Sequence, residues 1–187
     1  MSAAPLAGRL LVATPRTGGV FERSVVLLLT QGPDGAQGLI LNKPLDAEVS
    51  AVLPDWHRHV VAPPRLHQGG PVGMDSAMGL SRIPAQAQDG AVVGVQVTLD
   101  GLGLVDLDAP PQIVVPQVGA VRIFVGYAGW SPGQLESEIA EGAWFVVPRE
   151  DDDPFWANPS GLWQHVLLRQ RNSMSLVLTW TEHPEHN

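Results

Sequence analysis

Cysteine is absent from all 187 residues, which removes disulfides, thiol redox chemistry and cysteine-ligated zinc from consideration. Lysine occurs once, at Lys43, and the 11 lysines and arginines face 19 carboxylates, a formal charge of −8. Sequence-independent binding to nucleic acid draws its affinity from clustered cations that neutralise phosphates. Here the arginines are dispersed. The nearest approach to a cluster, Arg169 and Arg171, falls at the end of an expected helix, where it would complement the helix dipole. Nucleic acid is therefore disfavoured as a partner. No apolar run approaches the roughly 18 residues of a membrane span. No basic segment leading into an apolar run follows Met1, so the expectation is a cytoplasmic protein with no membrane association.

What is present suits one globular domain over 1–187 that ends in a polar tail at 181–187. A chain of this length can bury roughly 70% of its unfolded surface, and 44% of its residues are hydrophobic. Its 20 glycines and 17 prolines are scattered, which rules out collagen-like and low-complexity architectures. The apolar patterning predicts strands near 9–13, 24–30, 38–41, 79–83, 91–97, 102–107, 120–126 and 144–147, with a last one at 175–180. The continuous run at 24–30 predicts a central strand covered on both faces, paired through a turn at 31–35 with the strand at 38–41. Helices are predicted at 46–53, 131–141 and 159–170, and a short turn or helix after Asp153-Pro154. Strands and helices interleave irregularly, so the fold class is α+β or mixed.

Gly129-Trp130-Ser131-Pro132-Gly133 matches the G-x-S-x-G of a nucleophile elbow, between a strand and a helix as that motif requires. The elbow stabilises its oxyanion partly with the amide of the residue after the nucleophile, and Pro132 has none. Ser131 as a helix cap explains Ser131, Pro132 at the first helical position and Gln134 three residues on. In that helix Glu136, Glu138 and Glu141 face water. His57, His59 and His67 lack a carboxylate at a spacing that would complete a metal triad. Asp151, Asp152 and Asp153 lack the spacing of a calcium loop and read as a solvated turn, with Asp153 capping Pro154-Phe155-Trp156. Ser24 beside Arg23 has no base in its sequence neighbourhood. Trp130, Trp144, Trp156 and Trp163 face inward by periodicity and are read as core. No metal and no cofactor is implied.

The segments at 8–15 (GRLLVATP), 21–28 (FERSVVLL), 35–44 (GAQGLILNKP), 69–72 (GGPV), 126–130 (GYAGW) and 134–139 (QLESEI) occur in that order. Trp144 and the pairs Phe155-Trp156 and Leu162-Trp163 close the series. In this order of motifs the chain resembles the YqgE/AlgH family. The resemblance implies a twisted, partly barrel-like β-sheet surrounded by helices in one compact domain. It implies no defined activity; one branch is linked to transcriptional regulation, without a DNA-binding motif to transfer. Two departures matter. The family often carries an acidic-His pair after the second strand, where this chain has Thr30-Gln31-Gly32, and the cysteine of some members has no counterpart.

These observations predict a non-enzymatic protein that binds a small molecule or a protein partner, with an indirect regulatory role. The expected surface comprises Asn42, Lys43, Gly69, Gly70, Tyr127 and Trp130: a strand end with polar donors, glycines exposing amides, and two aromatics in a glycine-rich loop. Two other readings stand beside it. A hydrolase would pair Ser131 or Ser24 with His67 or His165, and a direct DNA-binding regulator would need a basic face.

Overall fold

Five consecutive side chains of the second strand are buried, and they alternate between two cores. A computed structural model describes residues 5–87, 92–171 and 176–178. Strands β1 (Leu10–Ala13), β2 (Val25–Gly32) and β3 (Gly35–Ile40) form an antiparallel meander. Val25, Leu27 and Leu29 project into one apolar cluster with Leu10, Val12 and Leu39. Val26 and Leu28 join Leu11, Ala13 and Ile40 in a second cluster on the opposite face. Side chains alternate across a strand, so a continuous apolar run marks a strand covered twice. Each such Leu or Val contributes roughly 1.5–3 kcal/mol on burial.

The remaining strands are β4 (Pro44–Glu48), β5 (Arg65–Gln68), β6 (Val72–Arg82), β7 (Val95–Leu99), β8 (Leu102–Val105), β9 (Val121–Trp130) and β10 (Trp144–Val147). The sheet runs β10-β1-β2-β3-β9-β6-β8-β7, and off this path β5 pairs with β9 and β4 with β5; every pairing is antiparallel except β5 with β9. It curls as an antiparallel half-barrel. Helices are few and short: α1 (Val49–Val52), α2 (Pro111–Val114), α3 (Gln134–Ala140) and α4 (Leu162–Arg169). Rather than ringing the sheet, α4 packs on one face through Leu162, Val166 and Leu167, and α3 on the other through Leu135. No described helix is long and apolar enough to cross a membrane.

Four local expectations change. Of the helix expected over 46–53, only Val49–Val52 is helical, as α1; 46–48 end strand β4, where Leu45, Ala47 and Val49 turn inward at alternate positions while Asp46 and Glu48 are exposed. The helix expected from Ser131 begins at Gln134, with Gly133 in the left-handed region at its entrance and no side-chain cap. Gln134 instead reaches back, its Oε1 accepting from the Ser131 amide (3.0 Å) and lying 3.1 Å from the Ser131 hydroxyl. The glycine-rich loop expected at 126–130 is the second half of β9. Of the strand expected at 175–180, residues 176–178 form a 3₁₀ turn. The rest, like the tail at 181–187, lies outside the described residues.

Candidate functional site

Between the 3₁₀ turn Gly19–Phe21 and β2, the chain passes through Arg23 with φ of 52°, a left-handed conformation that costs a residue with a Cβ about 1–2 kcal/mol. Two side chains from the end of β3 hold it there. Asn42, 6% exposed, accepts from the Val25 amide through Oδ1 (2.9 Å) and donates through Nδ2 to the Arg23 carbonyl (2.8 Å). Lys43 donates from Nζ to the Glu22 carbonyl (2.6 Å). Burial lowers the Lys43 ammonium below the ordinary lysine value; Glu22 opposes that shift and Arg23 adds to it.

The clamped turn sets the Arg23 guanidinium over the ring of Trp163, 5.4 Å from its centroid. Trp163, at the start of α4, is fixed by its indole N–H donating to the Ala13 carbonyl (2.9 Å). Together these groups line a cleft of about 620 Å³, completed by Leu45, Gln68 and Leu178 among others. Two cations line it and, among its described lining residues, no carboxylate.

The six residues expected to form one surface are divided. Asn42 and Lys43 belong to this cleft, but their polar groups turn onto the Glu22–Arg23 backbone. Tyr127 and Trp130 line a separate, shallower cleft of about 470 Å³ with Thr30 and Val72. Trp130 is 6% exposed, and its indole donates to Glu138 (2.9 Å), which accepts equally from Trp144 (2.9 Å). Glu138, expected to face water, thus joins two core tryptophans.

Gly69 and Gly70 are buried where the chain leaves β5 across β9. A methyl group at Gly69 would strike the Gly126 carbonyl, and one at Gly70 the Tyr127 carbonyl. Their backbone approach is the reason for glycine there. The Gly69 amide is used within the sheet, donating to the Val125 carbonyl (2.8 Å).

Among the described residues neither candidate serine bonds to an imidazole. Ser24 Oγ donates to the Phe21 carbonyl (2.7 Å) and Ser131 Oγ meets Gln134. His67 is fully buried in β5, with Nδ1 3.0 Å from the Arg65 carbonyl. Burial, reinforced by Arg122, lowers its pKa to about 4. His165 stacks on Trp156 with centroids 4.0 Å apart.

Asp153 corrects the reading of 151–153 as a solvated turn: it is 1% exposed and grips Arg169 through both oxygens (2.6 Å each). Its Oδ2 also accepts from the Glu150 amide (2.7 Å). Glu150, Asp153 and His165 converge within 4.8 Å, yet a guanidinium already occupies both carboxylate oxygens of Asp153. Arg169, expected to answer the helix dipole, is therefore an ion-pair partner, and its pKa is raised by the hydrogen bond to Asp153. Other arginines are engaged as well. Arg65 pairs with Asp46, Arg82 with Asp152, and Arg122, 1% exposed, donates to the carbonyls of Ala62, Pro154 and Trp156.

Arg23 is the residue that sequence reasoning missed. Asn42 lies 17 positions from the amide it accepts from, and a left-handed arginine has no signature in composition or periodicity. The clue was local: an Arg-Ser pair at the mouth of an apolar strand, with Asn-Lys-Pro closing the next one.

A curled-sheet α+β domain with a cationic cleft between its second and third strands and its last helix is the class that fold and site define. The AlgH-like family model (DUF179) matches residues 10–175, and the chain belongs to that family, the one its motifs resemble. A UPF0301 protein from Streptomyces avermitilis is 47% identical over 97% of this chain and 95% of its own length. One from Thermobifida fusca is 43% identical, covering 97% and 96%. The crystal structure of protein DIP2367 from Corynebacterium diphtheriae superposes with a TM-score of 0.87 at 31% identity, covering 96% of this chain and 95% of that one. The solution structure of the AlgH protein from Pseudomonas aeruginosa, 24% identical, shares the fold with a TM-score of 0.70 over 98% of each chain.

Proposed function

We propose that this chain is a non-enzymatic cytoplasmic binding protein, acting indirectly in regulation, and that the Arg23–Lys43–Trp163 cleft is where it takes its ligand or partner. One observation carries the reading: a strained backbone at Arg23, held by Asn42 and Lys43, presents a guanidinium on an aromatic wall of a large cleft. Strain persists where surrounding structure over-determines it, and such positions cluster at binding sites. Clefts of this size, part apolar and with a few placed polar groups, are the usual form of small-molecule sites.

Native mass spectrometry of the chain purified from its own host tests the reading. A copurified adduct is expected in the wild type and is lost in Lys43→Glu. Identical spectra for the two proteins contradict it.

A further inference from the structure

We propose that the shallower cleft over β3 and β9 is a second binding subsite, that it takes a neutral pyranose sugar, and that Gly129 is its floor. The inference draws nothing from the Arg23 cleft and stands or falls without it.

Gly129 gives the first argument. It lies in a paired stretch of β9, opposite Gln37 of β3. Glycine within a strand loses more freedom on folding and leaves nothing to pack, so its presence there calls for a reason. Its neighbours have one: a methyl group at Gly126 would strike the Gly70 carbonyl, and one at Gly38 the Leu27 carbonyl. Gly129 has no such constraint. Its φ is not in the left-handed region, and beyond its chain neighbours a Cβ there would meet only the Tyr127 ring at 3.6 Å and Val72 Cγ2 at 3.9 Å, both ordinary contacts. What a larger side chain at 129 would do is fill the cleft of about 470 Å³ that Thr30, Gln37, Val72 and Tyr127 also line.

Tyr127 gives the second. Side chains at Gly73 and Gly129 would meet opposite edges of its ring, Cε1 at 3.3 Å and Cε2 at 3.6 Å. On both sides the half-buried ring is thus bordered by a residue with no side chain, and it lines the cleft. The face of an aromatic ring is electron-rich and attracts the weakly positive C–H groups on the face of a sugar.

Hydrogen-bonding groups give the third and set the ligand's class. Thr30, Asp34 and Gln37 are exposed around the cleft. Among the described residues neither their side chains nor the Tyr127 phenol has a hydrogen-bond partner in the protein. A hydroxyl, a carboxylate, an amide and a phenol offer donors and acceptors together. Asp34, in a chain of formal charge −8, disfavours an anion. An organic cation would engage Asp34 and leave three neutral groups unused, and a wholly apolar ligand would leave all four unpaired. A pyranose, with hydroxyls around its rim and C–H groups on its faces, uses the whole set.

Amide-detected NMR titration of the full chain with the methyl glycosides of glucose, galactose, mannose and N-acetylglucosamine tests the proposal. At least one is expected to move the Gly129 and Gln37 backbone amides, with affinity roughly tenfold above that of glycerol or benzyltrimethylammonium. Glycerol carries hydroxyls without a ring; benzyltrimethylammonium carries a ring and a charge without hydroxyls. Amides that no glycoside moves overturn the proposal, as does either control binding as tightly as the best glycoside.

Two substitutions at the floor separate binding from folding. Gly129→Ala is expected to keep the wild-type thermal midpoint, since its Cβ makes only ordinary contacts. Gly129→Val fills the floor with a side chain that suits a strand and is expected to weaken the best glycoside roughly tenfold. Gln37→Ala, at an exposed position, is expected to weaken it roughly fivefold and decides the point should Gly129→Val not fold. An unfolded Gly129→Ala would show that the fold itself needs this glycine, and unchanged affinity in either folded Gly129→Val or Gln37→Ala would remove the sugar from the cleft.

Discussion

Helix α4 meets an arginine at each end, one on its own last turn and one delivered by the turn before β2, and the two are handled in opposite ways. At its C-terminal end Arg169 is enclosed by Asp153 and Glu150, with Asp153 itself buried. At its N-terminal end Trp163 supports Arg23, whose backbone is held in an unfavourable conformation by Asn42 and Lys43. The first arrangement joins the turn at 150–155 to the helix and has the geometry of a structural lock. The second places charge in a cleft at a local conformational cost. Removing each arginine should therefore move stability in opposite directions.

Arg169→Ala leaves the buried Asp153 carboxylate without its counter-ion, so urea unfolding is expected to report a loss of about 3–5 kcal/mol. A loss below about 1 kcal/mol would show that the pair is not a lock.

Buried basic groups away from α4 extend the contrast. His67 lies beside Arg122 in the interior, and its pKa of about 4 stands against an ordinary value of 6.5. The unfolded chain takes up this proton first, so the folded state loses stability as pH falls through 6.5 and the loss is complete near 4. Its full size is roughly 3 kcal/mol. His67→Leu removes that part of the pH dependence. Parallel stability profiles for the two proteins between pH 7 and 4 would show that His67 contributes none of it.

Gly70→Ala forces a methyl into the Tyr127 carbonyl, with an expected cost of about 1–3 kcal/mol from displaced backbone. A wild-type thermal midpoint would contradict the close crossing. Arg23→Gly relieves the left-handed backbone and is expected to raise stability by up to about 1 kcal/mol, the reverse of Arg169→Ala. Ser131→Ala removes an exposed contact with Gln134 and is expected to change stability by less than about 0.5 kcal/mol. A larger change by urea unfolding would give that hydroxyl a structural weight its surroundings do not explain.

Much of the sheet was legible because its signals are local. The run at 24–30 marked the doubly covered strand, and the Pro33-Asp34 turn marked its hairpin partner. Leu162, Val166 and Leu167 marked the buried stripe of α4. The misreadings share one cause, the dependence of a residue's role on distant chain. Glu138 looks solvated until β9 and β10 bring two indoles to it. Asp153 looks solvated until α4 delivers Arg169 from 16 residues away. The stretch at 126–130 looks like a loop because one of its glycines, Gly126, serves another segment, the crossing at Gly69-Gly70.

For the site, Asn42 and Lys43 were legible as polar residues at a strand end, and Lys43 does line the cleft. That their donors act on the Glu22–Arg23 backbone, and that Arg23 is what they position, depends on pairings 19 to 21 residues apart.

Urea unfolding of Arg23→Gly beside Arg169→Ala bears most directly on the claim that the two arginines are handled in opposite ways. A gain of up to about 1 kcal/mol for the first against a loss of about 3–5 kcal/mol for the second is the expected result. A loss for Arg23→Gly as well would mean that its backbone is not held in strain.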